Sequence, residues 1–480
     1  MPEARASAFL RFDLRDVHTL SVRVLLLIWL TASAISFGQT REKCPPRDGY
    51  KNLRYDEDWS GLRNPECRTD PFDILKYMGH GGQAYVTLGG ESRLRYERYT
   101  NPGFGTDPPT DSGYLLQRYL LHADIHFTPS FRFFVQFQSG IENGRNGGPR
   151  PTDEDIADVH QGFLDIPLGH FKDSVAIARI GRQELEFGSA RMMGAAEGLN
   201  IRRSFDGLRF HLSAGKWSFN STLLRPVALE PDAFDDVPDH RQSLWGIGGA
   251  RQTRVGGASL YYFGIDRKEI RMTGLTGRDL RHTIGSRWWG AHGRWDFNDE
   301  YFFQFGSFAH HTIVAGAGSF EIGRNFPATR FRPHLGFRAD TTSGGVNTQP
   351  HSNVHTFLPL FPSPPYSGRN ALLSPANLLQ ISPTYRATLK RVTVFVDSPF
   401  SWRSSTTDGI YNFADILVRP GNRADARYVG SQPGGEADIQ FNRHWTANVQ
   451  YSHFFAGEFL KKTPPGKDVD YFVLSTSWRF

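Results

Sequence analysis

From Tyr85 to Phe480, segment after segment alternates apolar and polar residues with a period of two, the pattern of a half-buried β-strand. On Phe131 to Glu142, Phe131, Phe133, Val135, Phe137 and Ile141 alternate with Arg132, Gln136, Gln138 and Glu142. On 391 to 397, Val392, Val394 and Val396 face away from Arg391, Thr393 and Asp397. The chain closes on the same pattern: Phe472, Leu474, Thr476, Trp478 and Phe480 share one face, and Tyr471, Val473, Ser475, Ser477 and Arg479 the other. A strand of about 10 residues with an apolar outside and a polar inside suits a membrane-crossing β-strand. Taken alone, the last segment also fits an edge strand of a soluble sheet.

The connections between these segments alternate in length. Short turns fall at Thr128-Pro129-Ser130, Ala214-Gly215, Gln252-Thr253, Asn298-Asp299, Leu389-Lys390 and Arg443-His444. Long stretches rich in Gly, Pro, Asn and Asp fall near 100 to 113, 143 to 155, 188 to 201, 228 to 240, 267 to 285, 314 to 327, 359 to 373, 403 to 433 and 457 to 468. Short turns on one side and long loops on the other are the topology of an outer-membrane β-barrel with periplasmic turns and extracellular loops. With Phe480 at the periplasmic end, strand parity agrees along the whole chain when a weak strand at 346 to 358 is included. The expected fold is therefore an all-β transmembrane antiparallel barrel of about eighteen strands, with about sixteen as the alternative because 156 to 166 and 346 to 358 alternate poorly. Aromatics near strand ends, among them Tyr261, Tyr262, Trp288, Trp289, Trp295, Trp445 and Trp478, fit interfacial girdles. A large soluble sandwich or propeller is the competing class, but no blade-length repeat is present.

Composition narrows this further. Only 39% of the 480 residues are hydrophobic, 14% are aromatic, and Gly and Pro number 49 and 29, which suits a turn-rich β protein. No internal apolar run approaches the ~18 residues of a spanning helix. The apolar stretch Val22 to Phe37, preceded by Arg5, Arg11, Arg15 and Arg23 and followed by Gly38, reads as a signal peptide over 1–38, leaving a short membrane anchor as the alternative. Residues 39–83 lack strand alternation and are expected to form a periplasmic lead-in or plug, with 84–480 the barrel. Cys44 and Cys67 are the only cysteines, and an oxidising compartment allows them to form one disulfide.

The net charge is +6, and ten Lys leave forty-five Arg among the 55 basic residues. Guanidinium groups bind carboxylates bidentately, so an exported, Arg-heavy chain points to an anionic ligand. Alternation directs Arg93, Arg95, Arg118, Arg132, Arg182, Arg203, Arg209, Arg294, Arg330, Arg332, Arg338 and Arg386 toward the lumen. Acids on the same faces, including Glu91, Glu97, Asp124, Glu142, Asp296, Asp340, Glu436 and Asp438, offer a plainer reading as cross-strand charge ladders. No Gly-x-Ser-x-Gly, His-Glu-x-x-His or phosphate-binding Gly loop occurs, so no catalytic residue and no cofactor is assigned. Asp232, Asp235, Asp236 and Asp239 lie in one loop able to hold Ca²⁺, though a solvated acidic loop accounts for them equally, and no metal is assigned.

Five blocks together resemble the alginate export family of outer-membrane proteins: Leu53-Arg54-Tyr55-Asp56-Glu57-Asp58-Trp59-Ser60; Gly181-Arg182-Gln183-Glu184-Leu185-Glu186-Phe187-Gly188; Arg202-Arg203-Ser204-Phe205-Asp206-Gly207; Phe357-Leu358-Pro359-Leu360-Phe361-Pro362; and Tyr451 to Gly457 with Lys467 to Asp470. The resemblance implies a barrel of about eighteen strands in the bacterial outer membrane, with a loop-constricted electropositive pore that passes an anionic, alginate-like uronate polysaccharide outward. It singles out Arg182, then Arg203, as pore residues. The partners it implies are that polymer or small anions, outer-membrane lipid, the barrel assembly machinery, which would read Trp478 and Phe480, and periplasmic export components. Nucleic acid is not among them. An anion-selective porin for small solutes, and a barrel-borne enzyme or surface-binding protein, are the alternative functions.

Overall fold

The computed structural model describes residues 44–480 apart from 46, 48, 80–82, 107–110, 172–173, 273, 347–348, 350–351 and 364–371, so the expected signal peptide lies outside the described residues. Eighteen antiparallel strands close into one barrel. They are β1 (Tyr85–Thr100), β2 (Asp111–His126), β3 (Arg132–Asn143), β4 (Asp155–Phe171), β5 (Ser174–Gln183), β6 (Phe205–Ala214), β7 (Trp217–Ala228), β8 (Gln242–Gln252) and β9 (Gly256–Met272). There follow β10 (Leu275–His292), β11 (Trp295–Phe308), β12 (His311–Asn325), β13 (His334–Thr342) and β14 (Leu378–Leu389). The last four are β15 (Val392–Asp397 continued by Phe400–Arg403), β16 (Tyr428–Ser431 continued by Gly434–Gln440), β17 (Trp445–Ala456) and β18 (Val469–Arg479). The seam closes where β18 pairs with β1, from Glu91 opposite Arg479 to Tyr99 opposite Tyr471.

The period-two pattern decides which way each strand faces. Leu121, Phe133, Phe137, Ile180, Leu208, Leu223, Ile247, Leu260, Ile284, Phe303, Phe337 and Leu474 stand exposed on the outer face, an arrangement water would penalise and hydrocarbon favours. Where β11 meets β12, Tyr301 and Phe303 on that face sit opposite Gly318 and Gly316, so aromatic rings cover the glycines. Arg93, Arg118, Gln136, Asp165, Arg281, Gln304 and Ser452 occupy the opposite, inner face and are buried.

The number of strands agrees with expectation, but their limits differ between 267 and 358. The stretches 267 to 285 and 314 to 327, expected as long loops, are mostly strand, because β9 and β10 run up to the residues joining Met272 to Leu275 and β12 spans His311–Asn325. Charged residues at the outer ends of β9 and β10, and the Gly-Ala run in β12, resemble loop composition. Above the membrane a strand needs no apolar face, and small side chains in β12 leave room for a segment packed inside. Asn298-Asp299 is not a turn: Asn298 faces inward in mid-strand and accepts from Arg287 Nε at 2.8 Å. The turn lies at Gly293-Arg294. The described residues between 346 and 358 do not form a barrel strand. Residues 352–358 fold inside the wall, where Asn353–Val354 pairs in parallel with Thr312 and Ile313 of β12.

Three segments enter the barrel. Val354, Phe357, Leu358 and Leu360, together with Met192 and Met193 from the segment 184–204, pack against inward Tyr261, Phe263, Ile265, Phe302 and Ile313. From the periplasmic side, Tyr55 sets its ring edge-on to Phe134 and Phe163, with centroids 6.1 and 5.4 Å away. Cys44 and Cys67 are disulfide-bonded and pack with Tyr50, Trp59, Leu62 and Tyr77 below the barrel. Closing that loop contributes about 3 kcal/mol by restricting the unfolded chain.

The chain end is held at the base of the seam. Phe480 exchanges two backbone hydrogen bonds with Gly90 (3.0 and 3.1 Å), and its carbonyl accepts from Lys76 Nζ at 2.9 Å. Its ring lies beside Phe72 and Trp478, with centroids 5.7 and 5.2 Å away, and a Cβ on Gly90 would come within 2.5 Å of it. Deleting Phe480 should therefore slow or prevent barrel closure, read as a smaller heat-modifiable fraction on semi-native gels after refolding into lipid vesicles. A normal folded fraction would refute a role for this residue in assembly.

Candidate pore lining

The inner face is dense in charge, and most of that charge is neutralised within the protein. Glu91 of β1 accepts from Arg118 of β2 (2.5 Å), from Arg54 of the N-terminal segment (2.5 Å) and from Arg479 of β18 (2.8 Å). Glu197, carried inward by the segment 184–204, accepts from Arg118 at 2.6 Å and also pairs with Arg202. Asp165 holds Arg179 (2.7 Å) and Arg132 (2.9 Å), and Arg132 donates further to Asp124 and to the Tyr55 carbonyl. Arg281 is fully buried against Asp279, Gln304 and the Thr356 carbonyl. These ladders agree with the plainer sequence reading, in which cross-strand charges fill the wall.

The expected pore arginines accordingly separate. Arg95 is bound by Glu97 and the Tyr471 hydroxyl, Arg118 and Arg132 by the carboxylates above, and Arg338 pairs with Asp340 at 2.9 Å. Arg93 faces inward and donates to the carbonyls of Glu197 (2.9 Å) and Leu199 (2.6 Å). Arg209 faces inward, donates to Asn220 Oδ1 at 3.1 Å and keeps a buried Nε without a partner among the described residues. Arg203 donates to the carbonyls of Gly194 (3.2 Å) and Pro362 (3.4 Å) and lies over the Phe361 ring, between two infolded segments. Burial there pulls its guanidinium down to about 10. Arg386 is exposed on the inner face of β14, beside the Phe395 ring.

Four expected positions are corrected. Arg182 is opposite Gly162 and Asp206, on the same face as the exposed Ile180 and Leu208, and so lies outside the wall at the extracellular end of β5. It is held there by Asp206 (3.0 Å) and the carbonyls of Val159 and Asp236 (3.1 Å each). The neighbouring Gly181 adopts φ +129°, and a Cβ would meet the Gly162 carbonyl at 2.2 Å, which accounts for glycine in that block without invoking the pore. Arg294 sits in the exposed turn between β10 and β11, and Arg330 and Arg332 in the exposed turn between β12 and β13, so all three lie at the rim rather than in the lumen.

Several inward arginines escape a reading by alternation. Arg54, Arg191 and Arg202 belong to inserted segments that have no strand period. Arg281 falls in the stretch 267 to 285, whose composition resembles a loop, and Arg287 lies just beyond it. Arg179 alternates only with Ala178 and Ile180, too weak a contrast to set the face. Arg287 donates to Asn298 and lies over the Trp289 ring at 4.7 Å. Among the described residues, Arg93, Arg203, Arg209, Arg287 and Arg386 therefore lie on the lumen side without a carboxylate ion pair, as does Arg403, whose buried guanidinium is taken up by the carbonyls of Ala424, Ala426 and Asp408.

A family model described as alginate export matches residues 84–473. Among solved structures, the chain is similar to OccAB3 of Acinetobacter baumannii, at 13% identity and TM-score 0.56 over 82% of this chain and 99% of that one. It is also similar to OccD3 (OpdP) of Pseudomonas aeruginosa, at 12% identity and TM-score 0.56 over 91% and 99%, and to OccK8 (OprE) of the same organism, at 11% and 0.55 over 82% and 98%. At these identities the likeness concerns the fold alone. No curated protein sequence matches the chain.

Proposed function

Because the chain belongs to the alginate export family and folds as a bacterial outer-membrane channel, we propose that it lets an anionic, uronate-type polysaccharide leave the cell passively through its lumen. The observation that carries this reading is the set of inner-face guanidiniums not neutralised by carboxylates, with Arg386 the most accessible of them. A confined cationic lining raises the local concentration of carboxylates and offers them paired N–H donors, yet such contacts are weak enough to be exchanged from one sugar to the next. No nucleotide-binding motif is present, so the driving force is assigned to components on the periplasmic side.

A specific observation favours a second reading, an anion-selective porin for small solutes: three inserted segments pack against the inner face of the wall. Planar-bilayer recording separates the two. Under the export reading, sodium alginate on the periplasmic side blocks an anion-selective current and neutral dextran of equal length does not. Anion-selective current indifferent to alginate would favour the porin.

The corrected positions give a sharper test. Arg386→Glu and Arg209→Glu should each lower the anion-to-cation permeability ratio several-fold, read from the reversal potential in a salt gradient. Arg182→Glu, outside the wall, should leave it unchanged. The reverse result would overturn this assignment of the lining.

A further inference from the structure

On the extracellular side of the wall, β5 ends at Gln183 while its neighbour β4 continues upward to Asp155. The space beside the first residues of β4 is filled by the loop after β7. Ile156 N donates to the Pro231 carbonyl at 3.2 Å and Phe234 N to the Ala157 carbonyl at 2.9 Å, so the loop docks there as a short extra edge. This docking brings together acids far apart in sequence. Carboxylate oxygens of Asp158, Asp235 and Asp236 lie within 4.8 Å of one another. Asp158 is 4% exposed and Asp155, whose electrostatic neighbours are Asp236, Asp158 and Asp235, is 0% exposed.

Hydrogen bonds satisfy only part of this cluster. Asp236 N donates to Asp158 Oδ2 at 3.0 Å, Glu230 N to Asp236 Oδ1 at 3.0 Å, Asp232 N to Asp235 Oδ2 at 3.2 Å, and Gln138 Nε2 to Asp155 Oδ2 at 3.3 Å. Asp155 Oδ1 and Asp235 Oδ1 are buried with no hydrogen-bond partner among the described residues. The nearest cation, Arg182, stands 3.6 Å from Asp158 and is already engaged by Asp206 at 3.0 Å. Four carboxylates with a single shared guanidinium, two of them presenting buried bare oxygens, make a costly arrangement unless a cation joins them.

We propose that Asp158, Asp235 and Asp236, with the buried Asp155 beside them, form a binding site for a hard divalent cation of the calcium class, fastening the loop 229–241 to the outer end of β4. Oxygen-only ligands, several carboxylates and an irregular loop-borne geometry suit Ca²⁺ better than a softer metal. Two of these three acids, Asp235 and Asp236, lie on the loop and Asp158 on the strand, so the ion acts as a clip between them. The site is independent of what passes through the lumen. It includes two of the loop acids visible in the sequence, whereas Asp232 and Asp239 engage their own loop.

The test uses the full-length protein refolded in detergent, stripped with chelator and titrated with CaCl₂ by isothermal calorimetry at pH 7.5. One Ca²⁺ per chain is expected, with affinity falling at least ten-fold in Asp235→Asn/Asp236→Asn. Trypsin cleavage after the exposed Arg241 should slow in Ca²⁺ and recover with chelator. Heat-modifiable mobility reports folding, and Asp235→Asn alone serves if the double variant does not fold. No Ca²⁺ uptake up to millimolar concentration, or uptake equal in wild type and folded variant, overturns the site.

Discussion

Replacing Glu91 with alanine should lower the stability of the barrel by about 3–5 kcal/mol, the range for a buried charge stripped of its partner. Three guanidiniums converge on this carboxylate, from Arg54, Arg118 and Arg479, and it is fully buried among them. Without it those cations remain in a water-poor interior, with Glu57 and Glu197 the acids left, among the described residues, to pair with Arg54, Arg118 and Arg479. Urea unfolding in lipid vesicles would measure the loss, with Lys462→Ala as the comparison, since the exposed Lys462–Glu458 pair belongs to the class of surface pairs worth little. Equal midpoints for the two variants would mean that Glu91 does not hold a buried cluster. Glu91→Gln should fall near the alanine variant, because it keeps the shape but loses the charge, and its amide NH2 cannot accept from the guanidiniums that one carboxylate oxygen served.

The cost of this cluster has a structural return. Arg54 belongs to the N-terminal segment, Glu91 and Arg479 to the two strands of the closing seam, and Arg118 links the seam to Glu197 on the infolded segment 184–204. Buried ion sets tend to specify one arrangement rather than add net stability. Here one carboxylate registers the seam, the inserted N-terminal segment and an inserted loop against each other.

Removing residues 44–79 should raise single-channel conductance several-fold and strengthen anion selectivity. In the intact chain, the Tyr55 carbonyl accepts from Arg132 at 2.8 Å, its hydroxyl donates to the Glu184 carbonyl at 3.0 Å, and its ring lies under the Arg179 guanidinium at 4.1 Å. Deletion empties this part of the periplasmic half of the lumen and leaves Arg132 and Arg179 facing water, so both cross-section and positive potential rise. Loss of Arg54 removes one of the three partners of Glu91, and heat-modifiable mobility would establish that the shortened barrel is folded. Unchanged conductance in a folded deletion variant would show that the segment lies outside the permeation path. Tyr55→Ala is the milder form, with a smaller increase expected in the same recording.

Lengthwise, much of the barrel can be read from residues alone. The strands around Phe133, Val394 and Leu474 show their faces because lipid imposes an apolar residue at every second position, and the terminal strand ends on an aromatic held at the seam. Reading fails where that constraint lapses. The ends of β9 and β10 carry Arg267, Arg271 and Arg278 because they project beyond hydrocarbon, and β12 is rich in Gly and Ala because inserted residues and neighbouring aromatics fill the space its side chains leave. Arg182 was misplaced for a related reason: the block that carries it lies at the end of β5, where the outer face is no longer apolar and an outward arginine is stable beside Asp206.

The sequence by itself determined that this is a membrane barrel with about eighteen strands, which way its long strands face, and that its inner surface is rich in arginine. Those properties are local, since each follows from a residue and its neighbours two positions away. Only the tertiary structure decided which arginines remain available to an anion, because neutralisation depends on partners remote in sequence: Glu91 meets Arg118 at a separation of 27 residues and Arg479 at 388. It also decided that residues 52–55, 184–204 and 352–362 lie inside the barrel and that Asp158 meets Asp236. Segments without a period carry no sign of their depth, and their place is fixed by the shape and charge of the cavity that receives them.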